Sequence, residues 1–342
     1  MGNIAGNHVL ITGVLGGLGS TVTQRLLKQG VSVLGVDSFF PGAASPLHQK
    51  YQLEQLRQHP TFSFLAADYR TLGIDDITVE GLLPRSVLHA AGLSPWSTTP
   101  LTADTLSACQ GEAAIALIDS LFDASVKRVL VPQWSDQNCE PSSATGWDVL
   151  AEVEKHLRSA TSEHANLLFP VLPLLWGVGQ SPATPPLRPL LQALSGAKVE
   201  LPDEKTVALF VHLDRVSEVL AELLISDKEY KRDDFLSALQ PVSVAVRPWI
   251  EVLLERAGLT LEVSDTPLSC PDFRDSITSS SLSSPPESEE TDLLEWVVSL
   301  PHVPPADWAQ VPKREKREQR AKRKRLKKER LRKARGESST DA

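Results

Sequence analysis

From residue 8 to about 180, short β-branched runs alternate with stretches whose apolar residues recur every three or four positions. The runs HVLIT, VSVLGVD, FSFLAAD, SVLHAAG, RVLVPQ and NLLFPVLPLL predict strands, and 19–29, 48–58, 103–123 and 146–160 predict helices. Such alternation predicts an α/β fold built on a parallel sheet with helices on both faces. Right-handed crossovers make that sheet doubly wound.

The pattern changes after residue 180. Residues 181–270 hold proline-rich turns, a helix at 186–195, a strand ALFVHL at 208–213 and helices at 214–225 and 246–257, which predicts a smaller C-terminal substrate lobe. Residues 271–312 form a Ser, Pro and acidic linker (SITSSSLSSPPESEE) carrying a short apolar segment, LLEWVVSL. The linker's composition buries too little to offset its ordering entropy. Residues 313–342 are a basic tail, so the expected divisions are 1–180, 181–270, 271–312 and 313–342.

The 342 residues are long enough for two domains, and 41% apolar with 23% charged residues is a globular balance. Cys109, Cys139 and Cys270 are odd in number and far apart, which fits neither a disulfide framework nor zinc spacing and points to a reducing compartment. The apolar stretch at 166–179 is too short and proline-broken to span a bilayer. The first strand begins almost at once, leaving no room for a signal peptide, so the expected location is cytoplasmic. The net charge of −8 divides unevenly: residues 313–335 hold 15 Lys and Arg against three Glu, or +12, leaving −20 elsewhere.

The first strand runs into T-G-V-L-G-G-L-G, placing Gly13, Gly16 and Gly19 where strand hands over to helix. There the first glycine permits a tight bend, the second lets the backbone approach a pyrophosphate, and the third lets helix pack on strand. Amides at the new helix N-terminus, Leu18 among them, then face phosphates. Asp37 ends the second strand 18 residues past Gly19, where a carboxylate accepts hydrogen bonds from ribose hydroxyls and repels a 2′-phosphate. NAD is therefore expected over NADP, against the plainer alternative of a structural turn and a solvated acid.

These residues resemble the extended short-chain dehydrogenase/reductases, the NAD-dependent epimerase/dehydratase group with a Rossmann fold, over about residues 8–265. T-G-V-L-G-G-L-G is similar to that family's T-G-x-x-G-x-x-G. A-A-D-Y-R-T matches its strand-end acid, here Asp68, which the resemblance assigns to adenine. V-L-H-A-A-G resembles V-I-H-x-A-A, with His89, Ala90, Ala91 and Gly92 in the places beside the cofactor. W-G-V-G-Q-S-P and L-F-V-H-L-D-R-V look like the later Y-G-P-G-x-x-P and D-F-x-x-V-D-D-V elements. The segment from S-P-L-H-Q-K-Y to P-T-F-S-F further resembles UDP-glucuronate 4-epimerases and their nucleotide-sugar relatives. The cofactor-binding set is thus Gly13, Gly16, Leu18, Gly19, Asp37, Asp68, Ala90, Ala91 and Gly92. The resemblance also implies a homodimer through the helices at 103–123 and 146–160.

The family's chemistry uses a tyrosine four residues before a lysine on one helical face, the lysine lowering the phenol's pKa. Here those positions are Thr145 and Val149, and Tyr51, Tyr69 and Tyr230 are followed four residues later by Gln55, Gly73 and Asp234. V-P-Q-W-S-D-Q-N replaces the serine-rich segment, leaving Ser135 as a shifted remnant. Ala108, Leu174 and Ala208 stand where the family has an asparagine, a second amide and a phosphate-holding arginine. No catalytic residue is therefore assigned. Asp136, Asp148, Glu152 and Lys155, or Ser135 with Asp148, offer a substitute constellation, but solvated charges on loop and helix are the ordinary expectation. Trp134, Trp147 and Trp176 are candidates to fill a vacated pocket, with core packing the ordinary reading. No histidine pair has metal-ligand spacing.

The basic run at 313–335 lacks glycine and proline and is rich in helix formers, so the tail is read as disordered alone and helical on an anionic surface. Its few apolar residues (Ala321, Leu326, Leu331, Ala334) make no membrane-binding face. Three functions follow: a catalytically impaired nucleotide-sugar epimerase homologue that binds NAD, a pseudoenzyme; an active epimerase or dehydratase with substitute residues; or a nucleic-acid- or ribosome-associated protein working through its tail, whose plainer alternative is a solubilising role.

Overall fold

The computed structural model describes residues 8–38, 46–92, 104, 107–133, 147–162, 164, 166–180, 184–226, 235, 238–265, 268 and 285–299. In chain order the elements are β1 (Val9–Thr12), α1 (Gly17–Lys28), β2 (Val33–Asp37), α2 (Pro46–Leu56), β3 (Phe62–Ala66), α3 (Ile74–Ile77) and β4 (Ser86–His89). A π-helical turn over Ser107–Glu112 leads into α4 (Ala113–Asp123), then β5 (Arg128–Leu130), α5 (Trp147–Ala160) and β6 (Leu167–Leu168). The remainder is β7 (Leu174–Trp176), α6 (Leu187–Leu194), β8 (Val207–His212), α7 (Leu213–Ile225), β9 (Val242–Ala245), α8 (Val246–Arg256) and α9 (Glu287–Ser299).

Six parallel strands form the main sheet in the order β3-β2-β1-β4-β5-β6. Its winding reverses between β1 and β4, the place where open α/β sheets leave a crevice at the strands' carboxyl ends. The β1 side chains divide between two cores, as a period of two requires. Val9 and Ile11 join α1 and α7 (Val22, Leu26, Val216, Leu220), while Leu10 joins α4 and α5 (Leu117, Ile118, Leu157). The doubly wound sheet expected from the sequence is the observed one.

The predicted strand NLLFPVLPLL is two strands in different sheets. β6 closes the main sheet, whereas β7 pairs with β8 in a three-stranded sheet, β7-β8-β9. Pro170 and Pro173, which lack the N–H a continuous ladder needs, lie in the stretch between them. The two cores also interleave along the chain, because α7 follows β8 directly yet packs back on the main sheet beside α1.

The smaller core gathers Trp176, Phe210 and Trp249 edge-to-face, with ring centres 5.0–5.4 Å apart. Within the expected linker, Glu287–Ser299 is a helix whose Leu293, Trp296 and Val297 are buried against that core. Buried Glu290 accepts from Trp249 Nε1 at 2.7 Å and from the Arg256 guanidinium, so its charge is compensated. The basic tail lies outside the described residues.

Candidate functional site

The turn after β1 has main chain where side chains would otherwise be. Gly13 adopts φ +69°, and a Cβ there would lie 2.6 Å from the main chain of Ala90 and Ala91 at the exit of β4. At Gly19 a Cβ would lie 2.3 Å from the Gly13 carbonyl oxygen, so only glycine lets α1 sit this close to the turn. Gly16 caps α1 without a side-chain hydrogen bond, and no acidic residue occupies the first turn. The amides of Gly17, Leu18 and Gly19 have no partner further back in the helix, leaving donors and the positive end of the helix dipole facing outward. Leu18 contributes only its backbone here; its side chain is 8% exposed and packs into the core.

Seven of the nine predicted cofactor residues line one pocket: Gly13, Gly16, Asp37, Asp68, Ala90, Ala91 and Gly92. Leu18 and Gly19 stand behind it in α1. Asp37 Oδ2 accepts from the Leu15 amide at 2.8 Å, tying the end of β2 to the glycine turn. Desolvation nevertheless pushes the Asp37 carboxyl up to about 7, outweighing the amide bonds from Leu15 and Ser38.

Other residues in the pocket have no separate signal in the sequence. Arg70 forks onto Asp68, with Nε at 2.9 Å and an Nη at 2.6 Å, and its other Nη lies 3.4 Å from Cys109 Sγ. The hydrogen bond to Asp68 raises the already high Arg70 pKa and keeps it charged. Tyr69 donates its hydroxyl to the Cys109 carbonyl, and burial raises its pKa, so it is a neutral wall of the pocket. The Tyr69 ring meets His89 edge-on at 4.8 Å; His89 Nδ1 is 2.8 Å from Thr12 Oγ1, and complete burial lowers its pKa to about 4. Adjacency of Tyr69 and Arg70 to Asp68 was the available clue. Cys109 and Gln49 reach the pocket from distant elements, which periodicity cannot reveal.

The opposite end of the crevice is different. Gln133, just past β5, is fully buried; its Oε1 accepts from Arg158 and its Nε2 donates to the Glu154 carbonyl at 3.5 Å. Its main chain bonds Pro170 and Leu172, so this strand end is satisfied within the protein. Ala108 is exposed on the π-helical turn, while Leu174 and Ala208 are buried in β7 and β8. Glu152 and Lys155 are exposed on α5, and Trp176 belongs to the smaller core. Trp134, Ser135, Asp136 and Thr145 lie outside the described residues. Trp147, Asp148 and Val149 belong to the first turn of α5.

Among the described residues no cluster of three or more His, Cys, Asp or Glu could hold a metal ion. None of the described helices is long and apolar enough to cross a membrane. The outer face of α5 exposes Glu152, Lys155, His156 and Ser159, a polar surface for the helix pair expected to dimerise.

Residues 9–133 match the family model of the NAD dependent epimerase/dehydratase family. Among solved structures, UDP-glucuronic acid 4-epimerase from Bacillus cereus, in complex with UDP-glucuronic acid and NAD, is similar with a TM-score of 0.65 and 16% identity, over 85% of this chain and 99% of that one. A DesIV double mutant (dTDP-glucose 4,6-dehydratase) from Streptomyces venezuelae, with NAD bound, gives 0.63 and 16% over 85% and 97%. TunA, an NAD dependent NDP-hexosamine 5,6-dehydratase of tunicamycin biosynthesis, gives 0.62 and 16% over 86% and 99%. At these identities the likeness to the solved structures is one of fold. The match to the NAD dependent epimerase/dehydratase family model spans the glycine turn, both acids and the exit of β4, and the solved structures share the fold around them.

Proposed function

We propose that the protein binds NAD and has lost the ordinary epimerase chemistry: a catalytically impaired homologue of the nucleotide-sugar enzymes. The observation that carries this reading is the pocket joining the glycine turn at Gly13 and Gly16, the strand-end acids Asp37 and Asp68, and the exit of β4. The residues fit the cofactor: no side chain fills the turn, the first amides of α1 are donors for a diphosphate, and Asp37 retains lone pairs for ribose hydroxyls. When bound, NAD supplies a hydride acceptor. The chain's own part is then to hold the diphosphate at Gly16–Gly19, orient the ribose on Asp37 and set the adenine beside Asp68.

Support for impairment comes from the residues at the reacting end. Thr145 and Val149 stand where the family places its phenol and amine, and shifting the register by one gives Gly146 and Leu150. Neither pair can take a proton as hydride leaves. Buried Gln133 is already paired with Arg158 and Glu154, so it too has little to offer a substrate.

Isothermal titration with NAD and NADP tests the binding half; the expected result is NAD binding with NADP much weaker, and no heat with either removes the reading. Incubation with UDP-glucuronate, UDP-glucose and UDP-galactose tests the other half. Turnover of any of them overturns the impairment and favours an active enzyme with substitute residues.

A second reading concerns the tail and is carried by its +12 over residues 313–335. Contact with RNA or DNA phosphates predicts binding that weakens steeply with salt and disappears on truncation after residue 312.

A further inference from the structure

The inward face of α2 is divided in its chemistry. Gln49, Gln52, Leu53 and Leu56 fall at the three- and four-residue spacings of one helical stripe, and each is at most 7% exposed. The two leucines are what a packed helix buries. The two glutamines are carboxamides, costly to bury without partners. Gln52 has one, since its Nε2 donates to the Gly179 carbonyl at 3.5 Å. Gln49, 2% exposed, has no hydrogen-bond partner for its buried Oε1, and it lines the same pocket as Asp37 and Ser38. An acceptor left unpaired at the wall of a binding pocket is relieved when a ligand brings a donor.

We propose that Gln49 determines specificity at the adenosine ribose of the dinucleotide, its carboxamide oxygen accepting a hydrogen bond from the 2′-hydroxyl. The inference rests on the dinucleotide reading above. The last torsion of a glutamine is broad, so the carboxamide turns toward a ligand without leaving its rotamer. The ribose edge then faces two acceptors on different elements, Asp37 from β2 and Gln49 from α2. A hydroxyl donates to either. A 2′-phosphate, which is anionic and rich in acceptor oxygens, meets both unfavourably. Gln49 thus adds a neutral reader to the charged one.

Isothermal titration of NAD, NADP and the 2′-deoxyadenosine analogue of NAD against the full chain and its Gln49→Met and Gln49→Glu variants tests this. Gln49→Met keeps the length and removes the amide. It is expected to weaken NAD about tenfold, to leave the 2′-deoxy analogue unchanged and to narrow the preference over NADP. Gln49→Glu keeps an acceptor and is expected to hold NAD within a few fold while rejecting NADP more strongly. Melting of the ligand-free chain separates binding from structure: Gln49→Met removes an unpaired polar atom, so its melting temperature should hold or rise as NAD affinity falls. The proposal is overturned if Gln49→Met binds NAD within twofold of the parent, or weakens NAD and the 2′-deoxy analogue equally. Should Gln49→Met not fold, equal binding of NAD and its 2′-deoxy analogue by the parent chain overturns it. A parent chain that binds no NAD removes the dinucleotide reading first, and this one with it.

Discussion

Two strand ends of one sheet, β1 with its turn and β5 with its exit, treat their polar groups in opposite ways. At β1 the chain accepts awkward backbone and unpaired donors: Gly13 at φ +69°, α1 with no side-chain cap, and Asp37 desolvated until its carboxyl reaches about 7. At β5 the groups are paired internally, with Gln133 held by Arg158 and the Glu154 carbonyl and its main chain bonded to Pro170 and Leu172. Binding sites keep hydrogen-bonding capacity in reserve at a cost in stability; a packed strand end spends it on itself. The proposed function, NAD binding without the ordinary epimerase chemistry, rests on this contrast.

The largest expected effect of a single substitution is steric. Gly13→Ala places a Cβ against the Ala90–Ala91 main chain at positive φ and should destabilise by about 3 kcal/mol or more, measured by urea unfolding. An unchanged midpoint would show that the turn is looser than its geometry implies.

Acid should come next. His48 and His89 are buried with pKa values lowered to about 4, whereas the unfolded chain takes up protons near 6.5. The unfolded state therefore binds more protons between these values, and stability should fall as pH drops from about 6.5 to 4. The loss is roughly 3 kcal/mol per histidine, read from unfolding midpoints against pH. His89→Gln should flatten part of that slope.

Asp37 has the opposite sign. The folded chain keeps its proton to about 7 and the unfolded chain releases it near 3.8, so this group's contribution declines as pH rises between them. Asp37→Asn should stabilise the ligand-free chain at pH 8 by roughly 2 kcal/mol, less than the full shift converts to because the pocket admits water. The same substitution should weaken NAD at least tenfold. Both measured as losses would mean Asp37 is a structural acid.

The smallest effect belongs to the β5 end. Gln133→Leu removes both side-chain bonds and should cost about 1–2 kcal/mol in chemical unfolding without changing NAD affinity in titration. A change in NAD affinity would join the two ends that the structure keeps apart.

Much of the molecule was legible because its signals are local. The strands, α1, and the spacing of Gly13, Gly16, Gly19 and Asp37 follow from periodicity and turn chemistry within some thirty residues. Helix ends agree to within a few residues: 17–28 against an expected 19–29, and 46–56 against 48–58. The division of NLLFPVLPLL was hidden because an apolar run does not state which sheet it joins. The helix Glu287–Ser299 was hidden inside a disorder-like composition because its order comes from burying Leu293, Trp296 and Val297 against residues far away in sequence.

The sequence alone determined the doubly wound fold, the glycine turn and the absence of a tyrosine–lysine pair, since each is a matter of residue type and short spacing. Only the tertiary structure decided which side chains share the pocket, bringing Gln49 from α2, Tyr69 and Arg70 from beyond β3, and Cys109 from the π-helical turn to one wall. It also decided which polar groups are already paired. Pairing depends on where distant segments come together, and that is settled by packing of the whole chain rather than by any window of it.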